Sequence, residues 1–170
     1  MLMSRNEPAI IALSGGVDSA VSAILLRETG YSVQCLHMSN WEDDEYCEAA
    51  KDFQDTRRLC QQLALPLHRV NFSDEYKELV FAHFLDEYQR GRTPNPDVLC
   101  NREIKFGVLR EYVHRLGGHW LATGHYTRIK QIGERFELHK GQDPNKDQSY
   151  FLHAIRETDL TNVLFPIGDR

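Results

Sequence analysis

Short apolar runs alternate with amphipathic stretches along most of the chain. Four of these runs are bounded by turn residues and are apolar enough to predict buried β-strands. Between them, apolar residues recur at every third or fourth position, which is typical of helices that bury one face. The predicted strands span 8–13, 31–38, 67–72 and 119–123, and the predicted helices span 18–29, 46–65, 74–88 and 97–116. This alternation predicts an α/β fold, with a mostly parallel, Rossmann-like sheet and helices on both of its faces.

The same stripes predict which helical side chains face the sheet. The predicted core-facing residues are Val17, Val21, Ile24 and Leu25 in the first helix and Tyr76, Leu79, Val80, His83 and Phe84 in the third. Two prolines in Gly91–Pro96 predict an exposed loop between the last two helices. Polar-alternating segments at 126–131 and 135–140 predict a small β-hairpin, and the C-terminal segment beyond it is irregular, with short helical pieces at 149–153 and 156–160.

The segment Ser14–Ser19, Ser-Gly-Gly-Val-Asp-Ser, joins the first predicted strand to the first helix. Two glycines allow a tight turn that presents consecutive amides, and the start of the helix adds its own unpaired amides. This combination predicts a phosphate site, in which Asp18 could hold Mg²⁺. The segment has neither the lysine of a Walker loop nor the three glycines of a dinucleotide fingerprint. The alternative is that Gly-Gly only shapes the turn while Asp18 or Ser19 caps the helix.

Composition and charge narrow the class of partner. The 170 residues carry a net charge of −5, which argues against a general nucleic-acid binder. Between residues 90 and 105, however, four basic side chains face two acidic ones, so a polyanion is expected to bind near this loop. The four cysteines form no Cys-x-x-Cys pair, which disfavours a His/Cys metal site. No signal peptide and no membrane-length apolar run are recognisable, so we expect a cytoplasmic protein without a membrane partner.

A resemblance begins at the glycine-containing segment. Ile10–Ser19 resembles the pyrophosphate-binding loop of ATP pyrophosphatases, enzymes that cleave ATP between its α and β phosphates and transfer AMP to a substrate oxygen. Five further motifs are similar to the bacterial tRNA-specific 2-thiouridylases within that superfamily. They are Asn40-Trp41-Glu42, the proline-containing stretch Gly91–Asn101, Ile104-Lys105-Phe106, Ala122–Tyr126 and Asn145–Phe151.

This resemblance implies a sulfurtransferase that acts on the wobble uridine in the anticodon of tRNA. ATP adenylates the C2 oxygen, and a cysteine persulfide, loaded by a sulfur-relay donor protein, replaces AMP with sulfur. Position by position, the family's ATP contacts fall on Ala12, Leu13, Ser14, Gly15, Gly16, Val17, Asp18, Ser19, Met38 and Gly124. Its contacts with the target base fall on Asn95, Pro96 and Asp97, and its other tRNA contacts on His125, Lys146, Asp147 and Gln148.

Cys100 corresponds to the first catalytic cysteine of the family, and Asp97 to the acid/base residue beside it. The residues themselves support this, because Cys100 lies near a helix start where the dipole, Arg102 and Lys105 are expected to favour a thiolate. The alternative is that Cys100 is a small apolar side chain packed beside Leu99.

The family's second catalytic cysteine has no counterpart among the other three cysteines. Cys35 and Cys60 lie on apolar patterns and are expected in the core, and the role of Cys47 stays open. The resemblance therefore implies a catalytic domain at 1–140 and a segment at 141–170 that leads to further tRNA-binding domains. We expect such a fragment to bind ATP but not to thiolate tRNA. An ATP pyrophosphatase for a small acid or amide and a non-catalytic ATP sensor are the alternatives.

Overall fold

The computed structural model describes residues 7–41 and 48–170, without the side chains of 48–50. Within this part, the strands are β1 Pro8–Leu13, β2 Ser32–Ser39, β3 Leu67–Asn71, β4 Trp120–Ala122, β5 Thr127–Ile132, β6 Arg135–Lys140 and β7 Val163–Leu164. Five parallel strands form one sheet in the order β3-β2-β1-β4-β7, and the antiparallel strands β5 and β6 form a hairpin. The four predicted strands and the hairpin are confirmed.

The strand β7 was not predicted. It contains only two residues and pairs with β4 through Leu121 and Ala122. Two residues are too few to show an alternation of apolar and polar positions. The segment is a strand because it pairs with β4, and its own sequence pattern does not indicate this. Part of the segment 141–170 thus belongs to the main sheet, while its connection to further domains stays a prediction.

The helices occupy the predicted stretches, but two of them change type along their length. They are α1 Val17–Glu28, α2 Glu48–Leu63, α3 Ser73–Tyr76, α4 Ala82–Gln89, α5 Pro96–Leu99 and α6 Leu109–Arg115. A π-helical segment, Lys77–Phe81, joins α3 to α4, and another, Cys100–Val108, joins α5 to α6. Short 3₁₀ helices follow at Ser149–Leu152 and Glu157–Leu160, where helical pieces were predicted.

The sheet has a core on each face, as the sequence predicts. Successive β1 residues alternate: Ile10 packs on one face with Phe106 and Leu121, and Ile11 packs on the other with Ala23 of α1 and Cys60 of α2. Both isoleucines are fully buried, which explains why β1 reads as a continuous apolar run. The doubly covered parallel sheet confirms the predicted fold class.

The core-facing side of α1 was predicted wrongly. Val17 and Val21 are 72% and 40% exposed, whereas Ser19, Ser22 and Ala23 are buried against the sheet. Small side chains allow the helix backbone to approach the strands closely, and the Ser22 hydroxyl is satisfied by donating to the Asp18 carbonyl at 2.8 Å. A stripe drawn from apolar residues alone cannot detect a helix that is held close by small polar ones.

The π-helical segment Lys77–Phe81 explains the second error. Val80 is fully buried as predicted, but Leu79 is 38% exposed and His83 is exposed. A π-helical turn holds more residues than an α-helical turn, so it rotates the helix face that reaches the core. No helix in the described part of the chain is long and apolar enough to cross a membrane.

Candidate functional site

The order of the strands defines where a ligand is expected. From β1 the chain proceeds outward through β2 and β3 on one side, and β4 and β7 lie on the other. The direction therefore switches between the neighbouring strands β1 and β4, and open parallel sheets bind ligands at the carboxyl ends of such a pair. Ser14–Gly16 follows β1 and Thr123–His125 follows β4, so two predicted motifs flank this crevice.

The glycine-containing loop leaves the start of α1 open to solvent. Gly15 has a φ of +90°, and Gly16 precedes α1 in an extended conformation. In the described structure no side chain caps α1, because the Ser19 hydroxyl donates to the Gly16 carbonyl at 3.0 Å instead. The expected alternative, a helix cap by Asp18 or Ser19, is wrong. The first amides of α1 remain available to an anion.

Two close backbone approaches fix this loop. A Cβ on Gly15 would lie 3.0 Å from the carbonyl oxygen of Asp52 in α2. A Cβ on Gly124 would lie 2.8 Å from the amide nitrogen of Ser19 and 2.9 Å from its Cα. Glycine at both positions lets the loop rest directly on the backbone of α2 and on the chain that leaves β4.

Asp18 lies at the mouth of the loop and is oriented by a residue beyond β4. The Tyr126 hydroxyl donates to Asp18 Oδ1 at 3.1 Å. The backbone of Tyr126 is held in turn by Gln148, whose Oε1 accepts from its amide at 3.1 Å. Among the described residues no three His, Cys, Asp or Glu side chains converge on a metal position. Asp18 is therefore a single carboxylate, and its predicted contact with Mg²⁺ stays a prediction.

The other predicted ATP contacts share this edge of the sheet. Ala12 and Leu13 end β1, and Met38 lies one residue before the end of β2. The imidazole Nδ1 of His37 lies 3.1 Å from the Leu13 carbonyl oxygen and links the two strand ends. The structure thus brings the predicted residues of 12–19, Met38 and Gly124 to one edge, although their contacts with ATP stay predictions.

The proline-containing motif forms the start of the helix that carries Cys100. The side chain of Asn95 caps α5 by accepting a hydrogen bond from the Asp97 amide at 3.0 Å. Pro96 occupies the first helical position, where the missing N–H of proline costs no hydrogen bond within the helix. Asp97 is exposed and Cys100 is half-buried. Asn95 and Pro96 therefore have a structural role, and their predicted contact with a base stays a prediction.

The ionisation of Cys100 differs from the sequence-based expectation. Burial raises the pKa of the thiol, and the carboxylate of Asp97 raises it further. The charge of Lys105 and a hydrogen bond from Asn40 Nδ2, 3.6 Å from Sγ, lower the pKa but do not offset burial. The prediction that the helix start favours a thiolate is wrong for the free chain, because the sequence does not reveal how far the sulfur is buried.

The predicted local excess of positive charge is also reduced by ion pairs. Arg92 forms a bidentate pair with Glu87, and Arg90 lies 2.9 Å from Asp86. These two acids precede residue 90 and so fall outside the segment over which the charge was counted. Surface pairs of this kind are weak, so a polyanion could still compete for the arginines. The loop nevertheless has less free positive charge than the count from 90 to 105 indicates.

His125 lies on the Cys100 side of the crevice, in contact with aromatic rings. Its ring centroid is 6.0 Å from those of Phe106 and Phe165, and its Nδ1 is 2.7 Å from the Thr123 hydroxyl. Burial, with the nearby charge of Lys105, lowers the pKa of His125 to about 3. A neutral imidazole attracts no phosphate through charge, so any contact of His125 with tRNA must be made by hydrogen bonding or stacking.

The predicted tRNA-contact segment Lys146–Gln148 is built on internal hydrogen bonds. Asp147 accepts from the amides of Gly141 and Ser149 at 2.9 and 3.2 Å. Lys146 lies over the Tyr126 ring, with its Nζ 6.0 Å from the ring centroid. Two of the three side chains therefore shape the loop, and the lysine remains on its surface side as the candidate contact for a phosphate.

Two of the remaining cysteines lie in the core, as predicted. Cys35 and Cys60 are buried in the core between β2 and α2, and burial raises the pKa of both thiols. Cys47 lies outside the described residues. Sequence reasoning missed the role of Tyr126 in orienting Asp18, and no local signal could have revealed it, because the two residues are 108 positions apart.

A cavity of about 910 Å³ lies elsewhere, between the hairpin and the β7 edge of the sheet. Trp120, Ile129 and Phe136 contribute to its wall, and none of the predicted site residues does. Although this cavity is large, it is separate from the crevice between the ends of β1 and β4.

Comparisons with known proteins agree with this arrangement. A relative from Hahella chejuensis, named tRNA-specific 2-thiouridylase MnmA, is 52% identical over 171 residues, which are 99% of this chain and 47% of the relative. A relative of the same name from Pseudomonas savastanoi pv. phaseolicola is 53% identical over 169 residues, or 98% of this chain and 45% of the relative. The predicted resemblance is confirmed, and the chain spans about half the length of these curated relatives.

Solved structures show the fold alone. A predicted subunit of tRNA methyltransferase from Methanocaldococcus jannaschii superimposes with a TM-score of 0.51 at 13% identity, over 96% of this chain and 69% of that one. The U34-tRNA thiolase NcsA from Methanococcus maripaludis gives 0.50 at 24% identity, over 71% of this chain and 39% of that one. A family model described as the tRNA methyl transferase HUP domain matches residues 7–170, and the chain belongs to that family.

Proposed function

We propose that this chain is the ATP-binding, catalytic part of a tRNA 2-thiouridylase. The observation that carries the proposal is that a loop suited to bind phosphate and a cysteine suited to sulfur chemistry lie at the same edge of the sheet. An uncapped phosphate loop follows β1, and a half-buried cysteine contacts Asn40 directly after β2. The names of the relatives support the same activity. We infer that the substrate uridine reaches its activating nucleotide and its sulfur donor within this single crevice, in the cytoplasm.

The loop residues are suited to hold the phosphates of ATP. No side chain caps α1, so the amides of its first turn are available at the positive end of the helix, and Gly124 allows the chain after β4 to lie against Ser19. Asp18, oriented by Tyr126, would hold Mg²⁺ against the same phosphates. ATP supplies an AMP group that turns the C2 oxygen of uridine into a leaving group, with pyrophosphate released.

Cys100 would be one of two cysteines that take part in the sulfur transfer. A persulfide of the sulfur-relay protein gives its terminal sulfur to one cysteine of this pair and is left as a thiol, and the terminal sulfur of the resulting persulfide attacks C2 and displaces AMP. Asp97 lies on the same helix face, where it is placed to exchange protons with the reacting groups. The thiol of the other cysteine is then needed to free the thiolated base, and this step leaves a disulfide between the two cysteines. Because none of Cys35, Cys47 and Cys60 corresponds to the second cysteine, we expect the chain alone to bind ATP, to bind tRNA poorly and to form no 2-thiouridine.

The test is the product of ATP cleavage by the full-length protein that carries this chain. With ATP labelled at the α phosphate and a sulfur donor present, we expect labelled AMP, together with unlabelled pyrophosphate, to appear only when a tRNA with uridine at the wobble position is present. A matched tRNA with cytidine at that position should give neither product. Release of ADP would contradict the proposal, and AMP formation with a small acid in place of tRNA would favour the alternative pyrophosphatase.

A further inference from the structure

A row of four aromatic rings lies along the helical stretch between β3 and the proline-containing loop. The ring centroid of Trp41 lies 5.2 Å from that of Phe81. The Phe84 ring is stacked between Phe81 and Tyr88, at centroid distances of 6.2 and 6.1 Å and interplanar angles of 14° and 20°. These three residues recur at steps of three and four, which places them on one side of the helix. Together with Trp41 they form the aromatic row.

The aromatic row lies outside the cores on the two faces of the sheet. In the described structure none of its residues belongs to either core cluster, and no residue of α4 is buried. Tyr88 is 67% exposed, and the neighbouring Leu79 and Leu85 are 38% and 42% exposed. A contiguous patch of exposed apolar side chains is typical of a surface that binds a partner.

The inner end of the aromatic row lies beside Cys100. Trp41 directly follows Asn40, whose Nδ2 lies 3.6 Å from the Cys100 Sγ. The ring centroid of Tyr76 is 6.3 Å from that of Trp41, and Tyr76 packs against the same core cluster as Cys100. The row therefore leads from the Cys100 site to the exposed Tyr88 at the far end of α4.

Negative charge surrounds the aromatic row. Ser73–Gln89 contains five acidic residues and one lysine, and four further acids follow Trp41 directly in the sequence, at 42–45, outside the described residues. Two arginines that follow α4 pair with two of these acids, and an acidic excess remains. Surfaces that bind single-stranded RNA combine aromatic rings with cations, whereas this one repels phosphates. Its chemistry fits a protein surface of apolar side chains surrounded by lysine and arginine.

We propose that the aromatic row is the docking surface for the protein that delivers sulfur, and that this protein binds it with a basic surface around an apolar centre. The inference rests on the proposed thiouridylase activity, which requires a sulfur-relay protein to reach the Cys100 site. The two reacting cysteines end in one disulfide, so the relay protein approaches the same place whichever of them receives the sulfur. The acids around the row repel the phosphates of tRNA and so keep this surface available to the relay protein.

The test is the affinity of the full-length protein for the organism's sulfur-relay protein, purified with its persulfide and measured by calorimetry without ATP or tRNA. For Tyr88→Ala we expect the dissociation constant to rise roughly tenfold, as for an aromatic residue at the centre of an interface. Glu78→Lys should weaken binding at low salt and weaken it less at high salt, because salt screens the attraction between an acidic and a basic surface. In thiolation assays both variants should raise the KM for the relay protein and leave the KM for tRNA unchanged.

Ile132→Ala and Glu134→Lys are the matched controls on the hairpin, where Ile132 is 57% exposed and Glu134 is exposed. Both should bind the relay protein as the wild type does. No binding by the wild type, or equal affinities of Tyr88→Ala and Ile132→Ala, would overturn the docking surface. A raised KM for tRNA alone would overturn it in favour of an RNA surface. A lower melting temperature of Tyr88→Ala with unchanged affinity would overturn it in favour of contact with another part of the full-length protein. Binding that depends on the aromatic row, without any 2-thiouridine, would leave the docking surface standing and refute the proposed function.

Discussion

The close approach of Gly124 to the phosphate loop predicts a specific effect of adding one methyl group. In Gly124→Ala the new Cβ would lie 2.8 Å from the Ser19 amide nitrogen and 3.0 Å from the Asp18 carbonyl carbon. Ordinary contacts begin near 3.4 Å, so the loop must move away from β4 by about 0.6 Å. Overpacking of this kind costs about 1–3 kcal/mol, and each kcal/mol lowers the melting temperature of a domain of this size by about 2–4 °C.

The same displacement should weaken ATP binding beyond its effect on stability. In the proposed function the Ser19 amide donates to a phosphate of ATP, and losing one charge-assisted hydrogen bond of this kind costs about 1.5–3 kcal/mol. We therefore expect the ATP dissociation constant to rise roughly 10- to 100-fold in calorimetry at a temperature where the variant is folded.

Gly118→Ala provides a control with the same closest distance at the other end of β4. Its Cβ would lie 2.8 Å from side-chain atoms of both Ile10 and Val113, in the core and not at the loop. This variant should lose a similar amount of stability and keep wild-type ATP affinity. If Gly124→Ala binds ATP as tightly as Gly118→Ala does, the contact between β4 and the loop does not position the phosphates.

Three further predictions address the loop, the thiols and pH. Gly16→Val should abolish ATP binding and leave the melting temperature nearly unchanged, because Gly16 has an ordinary extended conformation that other residues adopt; unchanged affinity in calorimetry would contradict the loop assignment. Limiting alkylation at neutral pH should label Cys100 ahead of Cys35 and Cys60, because those two are buried and Cys100 is partly accessible; prior labelling of a core thiol would refute this order. His125 has a pKa of about 3 in the fold and near 6.5 when unfolded, so its contribution to stability is present above pH 6.5 and is lost as pH falls toward 3, with a slope of at most about 1.4 kcal/mol per pH unit. When the free energy of unfolding is measured with urea at several pH values, its dependence on pH should be weaker for His125→Asn than for the wild type. The same dependence on pH in both proteins would contradict a neutral His125.

The fold was largely readable from the sequence because its main signals are local. Apolar runs define β1 to β4, and the hairpin is visible as polar alternation around Gly133. The errors arise where contacts between distant parts of the chain determine which residues are buried or form a strand. α1 buries Ser19, Ser22, Ala23 and Leu26 and not its valines, and β7 is a strand only because β4 lies beside it.

The sequence predicts the motifs of the site, but it does not predict how burial and neighbouring charges change the ionisation of its side chains. The phosphate loop and Cys100 carry motifs of high specificity, so their positions at one edge of the sheet follow once the fold is known. Burial of the Cys100 sulfur raises the pKa of the thiol, and Cys100 begins a π-helical segment. Nothing in the spacing of the residues distinguishes that segment from an α-helix, and nothing in it shows that Lys105 is partly buried while Arg102 is exposed.

The central claim is that Cys100 is required for the transfer of sulfur to an adenylated uridine, and nucleoside analysis of tRNA tests it most directly. The full-length protein, ATP, a sulfur donor and unmodified tRNA are incubated together, and the digested tRNA is examined by mass spectrometry. We expect 2-thiouridine with the wild type and with Cys60→Ala, which removes a core thiol, and none with Cys100→Ser, which should still bind ATP. Formation of 2-thiouridine by Cys100→Ser at the wild-type rate would contradict the account.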